Sequence, residues 1–422
     1  MTTIIIGGGL AGLAAAYKLA GKEKIIIIEK EPELGGMASS YKIDNYYIEQ
    51  YYHHIFASDK ELISLIEELG LGDRLEWLKG TTGYYFDGTI YPMNSPLEIL
   101  RALPLMDVIR LTLLVLKAKS IKDRTPFDDI TAKDWIIDTA GESVYNNFFL
   151  PLLSSKFGDN KEKVSAAWLL GRVQIRSNRG TKGEKLGYMR GGFEALIEKM
   201  GQNIKNKGGI IRKGNVSRIE VIGNSIKGVI VDGEKIECDR VISTVAPNVL
   251  SKILDINLPG IDIDINYQGT ACALFGLSEK VMEDIYWLNI KEDVPFGAVI
   301  EHTNFIPVTD YGEHLMYATS YFQDPKSILW SLGDEDLIEL YTKGLEKLFP
   351  GIRKKVKWWR LRRDLDTAPV YETGYGKKVF PFKTAIKGLY LAGMFSQTNY
   401  PERSMNGSIL AGFRCADEIA SG

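Results

Sequence analysis

The sequence predicts an α/β fold, and three features near its start carry that prediction. Residues 2–6 are β-branched and apolar, which suits a strand buried on both faces of a parallel sheet. Residues 10–20 are rich in Ala and Leu and predict a helix, and the isoleucine run 25–28 predicts a second strand. A strand, a helix and a second strand in this order form the first unit of a parallel sheet covered by helices.

A glycine triad, Gly7, Gly9 and Gly12, lies in the turn between the first strand and the helix. Gly7 permits a tight turn, Gly9 lets the backbone approach a pyrophosphate, and Gly12 lets helix and strand pack closely. The helix start at Leu10 and Ala11 supplies unpaired N–H donors for phosphate oxygens. The triad therefore predicts a Rossmann-like site for an adenine dinucleotide, whereas a sharp structural turn is the simpler alternative.

Glu29 closes the second strand, about twenty residues after the triad, where a carboxylate can accept hydrogen bonds from ribose hydroxyls. A carboxylate at this position would repel the 2′-phosphate of NADP. The first unit therefore predicts NAD or FAD as its ligand.

Gly35-Gly36 follows Glu29 after a short loop, and a glutamate followed shortly by two glycines is a signature of flavin-binding proteins. On this stretch the chain resembles the superfamily of FAD-dependent amine oxidases, protoporphyrinogen oxidases and phytoene desaturases. The resemblance implies a Rossmann-like FAD-binding domain of the glutathione-reductase type, in which this loop passes the pyrophosphate and ribityl region of FAD. The cofactor-binding residues that it implies in this loop are Lys30, Gly35, Gly36, Met37 and Ala38.

Two later stretches resemble the same superfamily. Residues 186–193, which lead into a helix from Glu194 to Met200, resemble the Gly-Gly helix start through which the chain returns to the flavin domain. The resemblance implies that the backbone near Val216 meets the adenine. Residues 388–393 and 400–412 resemble the closing strand, loop and helix that hold the flavin. The cofactor-binding residues implied there are Gly393, Met394, Met405 and Asn406.

The stretch 53–59 supplies a candidate catalytic histidine. It is similar to the His-Ile-Phe-His-Thr-Asp stretch of UDP-galactopyranose mutases, a branch of the superfamily in which this segment lies beside the flavin. His54 matches the first histidine of that stretch, and Ala57 stands in place of the second. A packed or surface pair of histidines is the alternative. The resemblance implies that the closing loop sets Tyr400 and Arg403 near the flavin ring, so these two residues and His54 are the predicted catalytic residues.

A group of arginines lies on the approach to the second Gly-Gly helix start: Arg172, Arg176, Arg179 and Arg190. Guanidinium groups can bind a carboxylate or a phosphate through paired hydrogen bonds. A solvated basic face is the alternative interpretation.

The flavin motifs lie at both ends and in the middle of the chain, so the predicted domains are interleaved. The predicted FAD-binding domain combines residues 1–70, 187–265 and 385–422. The predicted mixed-sheet substrate domain combines residues 71–94 and 266–384. A helical substrate subdomain is predicted for residues 95–186.

Composition excludes several classes of function. With 422 residues and 45% hydrophobic content, the chain can bury the core of an enzyme-sized protein. The net charge is −2, so the chain lacks the broad positive field that nucleic-acid binding requires. Cys238, Cys272 and Cys415 are far apart and lack metal-ligand spacing, which predicts no metal site and buried thiols in a reducing cytoplasm. The loop before Tyr400 has no cysteine, so a non-covalent FAD is predicted.

Residues 97–116 are rich in Leu, Ile and Val, but Arg101, Asp107 and Arg110 interrupt them, so the segment falls short of a membrane-spanning helix. It predicts a pair of amphipathic helices packed into the substrate domain. Peripheral membrane contact is the alternative, since protoporphyrinogen oxidases and carotenoid desaturases handle lipophilic substrates at membranes. The first strand begins almost at once, which leaves no room for a signal peptide.

The resemblance implies an FAD-dependent oxidoreductase that removes hydride from a small-molecule substrate at flavin N5, with oxygen, a quinone or another electron acceptor. The alternative is a non-redox flavoenzyme, such as a nucleotide-sugar mutase or a double-bond isomerase, which uses reduced FAD without net electron transfer. The sequence leaves the substrate, the electron acceptor and the oligomeric state open.

Overall fold

The computed structural model describes residues 1–176, 184–254, 256 and 258–421, and a five-stranded parallel sheet lies at its centre. The first two strands of the chain pair in parallel, with Ile4 opposite Ile26. From one edge to the other, the strands are Leu389–Leu391, Arg240–Ser243, Thr2–Ile6, Lys24–Glu29 and Ile210–Lys213. The predicted α/β fold and its first strand-helix-strand unit are confirmed.

The isoleucines of the two central strands face opposite sides of this sheet in alternation, because successive side chains of a strand point to opposite faces. Ile5, Ile25 and Ile27 pack under helices on one side. Those helices are Leu10–Leu19, Glu194–Asn206 and Met405–Ser421. The other side is covered by the strands Val216–Ile222, Ser225–Val231 and Glu234–Glu237 and by the helix Pro247–Ile253.

A seven-stranded sheet forms the second layer of structure. In order, its strands are Val356–Pro369, Tyr267–Leu277, His314–Phe322, Ala298–Glu301, Trp287–Ile290, Thr82–Phe86 and Thr89–Pro92. All neighbours are antiparallel except Trp287–Ile290 and Thr82–Phe86. A hairpin turn at Asp87 and Gly88 joins the last two of these strands, and both residues have positive φ angles, 51° and 70°. One face of this sheet packs on the helix Asp334–Leu348.

Helices dominate the segment between the hairpin and the second Gly-Gly motif, as predicted. They are Pro96–Ala102, Leu105–Ser120, Ala132–Ala140, Glu142–Val144, Leu150–Phe157 and Ala166–Arg176, with a π-helical turn at Tyr145–Phe149. The other helices and strands are Lys60–Glu68, Ile328–Ser331 and the pairs Ser40–Ile43 with Tyr46–Glu49 and Leu75–Gly80 with Glu184–Met189.

A buried carboxyl group ties the two main layers together. Glu49 is fully buried and accepts hydrogen bonds from the Tyr188 hydroxyl at 2.7 Å and the Phe193 amide at 2.8 Å. Its backbone carbonyl accepts a hydrogen bond from the Tyr317 hydroxyl, 2.7 Å away on the seven-stranded sheet. Burial raises the pKa of Glu49, although both hydrogen bonds oppose the shift. The contact therefore fixes the seven-stranded sheet relative to the helix that follows Phe193.

Candidate active site

A cavity of about 930 Å³ extends from the parallel sheet to the seven-stranded sheet. At one end it is lined by Ile6, Ile28 and Thr244, at or just beyond the carboxyl ends of parallel strands. At the other end it is lined by Ala298 and Thr319 of the seven-stranded sheet. The helical region supplies a third, apolar wall: Phe148, Phe149, Leu152, Leu153, Trp168, Leu169 and Val173. The carboxyl edge of a parallel sheet is where α/β folds bind ligands.

The glycine triad forms the start of this cavity. Gly7 has a φ of 103°, a left-handed conformation that side chains disfavour. Gly9, Leu10 and Ala11 line the cavity, and the helix Leu10–Leu19 begins there without a side-chain cap. Its first N–H groups are therefore available to a phosphate. Gly12 does not line the cavity. A Cβ atom on Gly12 would collide with the Gly7 carbonyl oxygen, so this glycine allows the helix to pack closely on the turn.

The Glu29 carboxylate is held at the cavity wall by two backbone amides. Its Oε2 accepts a hydrogen bond from Gly8 at 2.6 Å, and its Oε1 accepts one from Glu31 at 2.9 Å. A carboxylate has about four acceptor positions, so capacity remains for ribose hydroxyls. Lys30 lines the cavity next to it.

The second glycine pair packs directly on the first turn. The Gly35 amide donates to the Gly8 carbonyl at 2.9 Å, and a Cβ on Gly36 would lie 3.2 Å from the Gly9 Cα. Both glycines have positive φ angles, 102° and 58°. Gly35, Gly36, Met37 and Ala38 line the cavity, and so does Val216. The structure thus brings together predicted cofactor-binding residues that are almost two hundred positions apart in the chain.

The closing strand and helix supply the next part of the wall. Gly393, Met394 and Met405 line the cavity. Asn406 does not: its side chain accepts from the Leu62 amide and donates to the Glu61 carboxylate, both at 2.9 Å. Asn406 therefore connects two helices, and the structure does not bring its side chain to the predicted cofactor site.

Of the three predicted catalytic residues, two line the cavity and one does not. His54 and Arg403 line the cavity, whereas Tyr400 does not. The Tyr400 hydroxyl donates to the Asp128 carboxylate, and its ring stacks on Tyr375 with centroids 5.8 Å apart. The side chain is drawn towards the helical region by these contacts, so the structure places Tyr400 away from the cavity.

His53, the neighbour of His54 in the predicted histidine pair, also lines the cavity. Its Nδ1 lies 2.7 Å from the Tyr51 carbonyl oxygen. Because a carbonyl only accepts, Nδ1 carries the proton and Nε2 is an acceptor. Burial lowers the pKa of His53 to about 4, and the nearby Arg403 guanidinium contributes to the shift. The imidazole is therefore neutral near pH 7.

The His54 ring is surrounded by aromatic side chains. Its Nδ1 lies 3.4 Å from the Tyr286 hydroxyl oxygen, and its ring meets Phe56 edge-on with centroids 5.1 Å apart. Trp287, which also lines the cavity, lies on another side with a centroid distance of 6.3 Å. These contacts fix the orientation of the ring.

Charged side chains gather at the wall formed by the helical region and the closing loop. Lys156, Arg172, Glu402 and Arg403 all line the cavity. The Lys156 ammonium lies 3.2 Å from Glu402 Oε1, and an Arg172 guanidinium nitrogen lies 3.9 Å from the same oxygen. Arg172 and Arg403 were predicted from the sequence, but Lys156 and Glu402 were not, because nothing in the sequence near either residue indicates that they pair.

Of the other predicted arginines, Arg190 does not join this cluster. Arg190 pairs with Glu76 and is exposed. Arg179 and the side chain of Arg176 lie outside the described residues.

A family model described as flavin containing amine oxidoreductase matches residues 10–420. The chain belongs to this family. It is similar to the 15-cis-phytoene desaturase of Solanum lycopersicum, with 26% identity over 99% of this chain and 77% of the relative. The chain is a flavin-dependent oxidoreductase, as predicted, and FAD is its cofactor.

Two solved structures share the fold across nearly the whole chain. One, from an Exiguobacterium species and provisionally called a protoporphyrinogen oxidase, has a TM-score of 0.79 and 20% identity, and covers 99% of this chain and 98% of its own. The other is reduced UDP-galactopyranose mutase, with a TM-score of 0.76, 18% identity, and coverage of 100% and 95%. The predicted Rossmann-like FAD-binding fold is confirmed.

The residues that line the cavity fit an FAD molecule. Gly9 and the uncapped start of helix Leu10–Leu19 suit the pyrophosphate, and the Glu29 carboxylate suits the adenosine ribose. The volume also continues past these groups to the seven-stranded sheet, which leaves room for substrate beside the cofactor. Cys238, Cys272 and Cys415 are buried and none lines the cavity.

The described residues offer neither a metal site nor a membrane-spanning helix. No group of His, Cys, Asp or Glu side chains within those residues could hold a metal ion. Among the helices in the described ranges, none is sufficiently long and apolar to cross a bilayer.

Proposed function

We propose that this protein removes hydride from an organic substrate that lies in the apolar part of the cavity, next to the FAD. The supporting observation is the continuity of one cavity from the Glu29 carboxylate to the apolar helical wall around Trp168. FAD, when bound, supplies the hydride acceptor at N5. The protein supplies the position of the substrate and excludes water through its aromatic and aliphatic walls.

The histidines and Arg403 are the polar groups that we propose for the reaction. His53 Nε2 is a neutral acceptor, suited to take a proton from a substrate N–H or O–H group as hydride leaves. His54 is held by its aromatic neighbours and orients the substrate. Arg403 stabilises negative charge in the cavity. Tyr400 is a positioning residue that holds the closing loop through Asp128.

A redox-neutral reaction is the second candidate, because positively charged side chains in the cavity suit the pyrophosphate of a nucleotide sugar. Lys156, Arg172 and Arg403 are such groups. The apolar residues around them favour the first candidate, since Leu152, Leu153 and Val173 offer no side-chain hydrogen bonds to a sugar or a nucleotide base.

Anaerobic mixing separates the two functions. The oxidised FAD-loaded protein is mixed with protoporphyrinogen, phytoene or putrescine, and flavin absorbance is followed. The dithionite-reduced protein is mixed in parallel with UDP-galactopyranose, and the sugar product is measured. Bleaching of the oxidised flavin by an organic donor is the expected result. Conversion of the sugar by the reduced protein alone, with no bleaching by any donor, would overturn the proposal in favour of a mutase.

We also propose a peripheral contact between the helical region and an anionic lipid surface. The predicted pair of amphipathic helices is present and packs on the protein through Leu111 and Leu114. Large apolar side chains on its other face are exposed: Leu97, Leu100, Leu105, Met106, Ile109, Leu113 and Leu116. Leu105, Ile109, Leu113 and Leu116 recur every three or four residues and share one face of helix Leu105–Ser120. These seven residues are called the apolar stripe below.

The charges beside the apolar stripe and the position of the stripe favour binding to a membrane over binding to another protein. Exposed Arg110, Lys117 and Lys119 lie beside the stripe, which suits helices that lie flat on anionic lipid. The one acidic residue of this helix, Asp107, is buried on the opposite face and accepts hydrogen bonds from Ser143 at 2.7 Å and Asn147 at 2.9 Å. Ile99 of helix Pro96–Ala102 lines the cavity, so the stripe adjoins the substrate space.

A further inference from the structure

The charged side chains at the helical wall are unequal in sign. Lys156, Arg172 and Arg403 contribute three positive charges, and Glu402 contributes one negative charge. Glu402 is buried, yet Lys156, Arg172 and Arg403 hold its pKa below the ordinary value, so it stays ionised. With Lys156 protonated, the cluster carries an excess of positive charge inside the cavity.

Arg403 is the group with the least compensation. Its Nε atom is buried and has no hydrogen-bond partner among the described residues, and no carboxylate in that part of the chain lies within ion-pair distance of its guanidinium. The neighbouring tyrosines, Tyr52 and Tyr371, have pKa values raised by burial and stay neutral. The Glu402 charge partly offsets the cost of burying Arg403, but the unsatisfied Nε donor remains costly, so a hydrogen-bond acceptor from outside the chain is expected at this position.

Apolar side chains adjoin the cations on the same two helices. On helix Leu150–Phe157, Leu152 and Leu153 precede Lys156 by four and three positions, so all three share a face. On helix Ala166–Arg176, Trp168 and Leu169 stand in the same relation to Arg172. The wall therefore combines an oxyanion-binding group with an extended apolar surface.

We propose that Arg172, Arg403 and Lys156 form a subsite for a carboxylate group carried on an apolar or aromatic body. Two guanidinium groups can each donate paired hydrogen bonds to a carboxylate, and the ammonium adds charge. The inference rests on the proposed oxidoreductase function, because it identifies one end of that substrate. An apolar amphiphile with one carboxylate satisfies both the cations and the leucines, whereas an ammonium group is repelled.

Binding of simple probes tests this subsite without turnover. The oxidised FAD-loaded protein is titrated with octanoate, octylamine and inorganic pyrophosphate, and binding is followed by calorimetry and by the flavin absorption spectrum. Octanoate is expected to bind and octylamine is not. Arg172→Gln and Arg403→Gln are each expected to weaken octanoate binding at least about tenfold. The matched control is Arg190→Gln, on an exposed residue outside the cavity, which should bind as the wild type does.

Three outcomes would overturn the subsite. The first is binding of octylamine as tightly as octanoate, and the second is unchanged octanoate binding in a folded Arg172→Gln variant. The third is pyrophosphate binding more tightly than octanoate, which would assign the cations to a phosphate. FAD content and thermal melting establish that each variant is folded. If octanoate binds as expected but no donor bleaches the flavin, only the proposed function fails, so the two failures are distinguishable.

Discussion

Lys156 and Glu402 form an ion pair inside the cavity, with Nζ 3.2 Å from Oε1, although they are 246 positions apart in the chain. The side chains are 18% and 9% exposed, so solvent screens the pair only weakly. The pair joins helix Leu150–Phe157 to the loop before helix Met405–Ser421. The contact thus ties the apolar wall of the helical region to that loop, and it makes the charge of the cavity depend on pH.

Carboxylate binding is expected to weaken as the pH rises above about 7. Burial lowers the pKa of Lys156 to about 7, with Glu402 opposing the shift and Arg172 and Arg403 adding to it. Both arginines stay charged and Glu402 stays ionised, so loss of the Lys156 proton is the change that removes positive charge. Octanoate affinity, measured by calorimetry between about pH 6 and 9, checks this. In Lys156→Gln the decline should disappear, and a wild-type affinity independent of pH would contradict it.

Removal of the His53 acceptor is expected to slow hydride removal without loss of FAD. His53→Asn can still donate to the Tyr51 carbonyl but lacks the acceptor at Nε2. Loss of a general base costs about a hundredfold or more in kcat. The measurement is the rate of anaerobic flavin bleaching by an active donor, with FAD content as the test of folding. His314→Asn, at a histidine that does not line the cavity, is the control. Equal rates in the wild type and His53→Asn would remove His53 from the reaction.

Glu29→Ala is expected to weaken FAD binding about tenfold, because a carboxylate that bonds a ribose hydroxyl contributes about 1.5 kcal/mol or more. The variant also loses the two acceptor bonds that order the Gly8 and Glu31 amides. Quenching of flavin fluorescence by the apoprotein measures the dissociation constant. Glu67→Ala, on the exposed side of helix Lys60–Glu68, serves as the control. Unchanged FAD affinity in Glu29→Ala would place the ribose elsewhere.

Glu49→Ala is expected to lower the free energy of unfolding by about 2–4 kcal/mol, since it leaves two buried donors unpaired. Those donors are the Tyr188 hydroxyl and the Phe193 amide. Glu49→Gln keeps an acceptor and should cost less. Urea unfolding of the FAD-loaded protein measures the difference, and Glu198→Ala on the exposed face of the next helix is the control. Equal stability of Glu49→Ala and the control would show that the buried contact contributes nothing.

The protein is expected to sediment with vesicles that contain phosphatidylglycerol and less with pure phosphatidylcholine vesicles, because basic residues lie beside the apolar stripe. The double variant Ile109→Ser, Leu113→Ser should lose most of this binding. Ile222→Ser, at another exposed isoleucine on a different element, is the matched control. If the wild type stays in solution with both kinds of vesicle, the proposed lipid contact is wrong. If light scattering also shows a dimer that the double variant converts to monomer, the stripe binds a second copy of the chain.

The first strand-helix-strand unit could be predicted because its signals are local. Gly7, Gly9 and Glu29 each act through the backbone or at a strand end, so their spacing carries the geometry. The strand Val356–Pro369 extends well beyond Trp359, and this extension has no such local signal. The alternating charged residues of that extension are half-buried against neighbouring strands, a pairing that local sequence does not reveal.

Side-chain direction was harder to predict than position. Tyr400 and Asn406 lie in the predicted loop and helix, but Asp128 and Glu61, from distant segments, draw their side chains away from the cavity. The carboxylate subsite depends likewise on the meeting of Lys156 with Glu402. Such contacts depend on the packing of the domains and leave no periodic signal in the sequence.

The stoichiometry of anaerobic product formation tests the central claim most directly. The oxidised FAD-loaded protein is given an active donor with no electron acceptor, and product is counted per flavin. Net hydride removal predicts one oxidised product per FAD, and turnover only after an acceptor is supplied. Many products per flavin from the dithionite-reduced protein, with no acceptor and with the flavin still reduced at the end, would contradict the account and assign a redox-neutral reaction to this cavity.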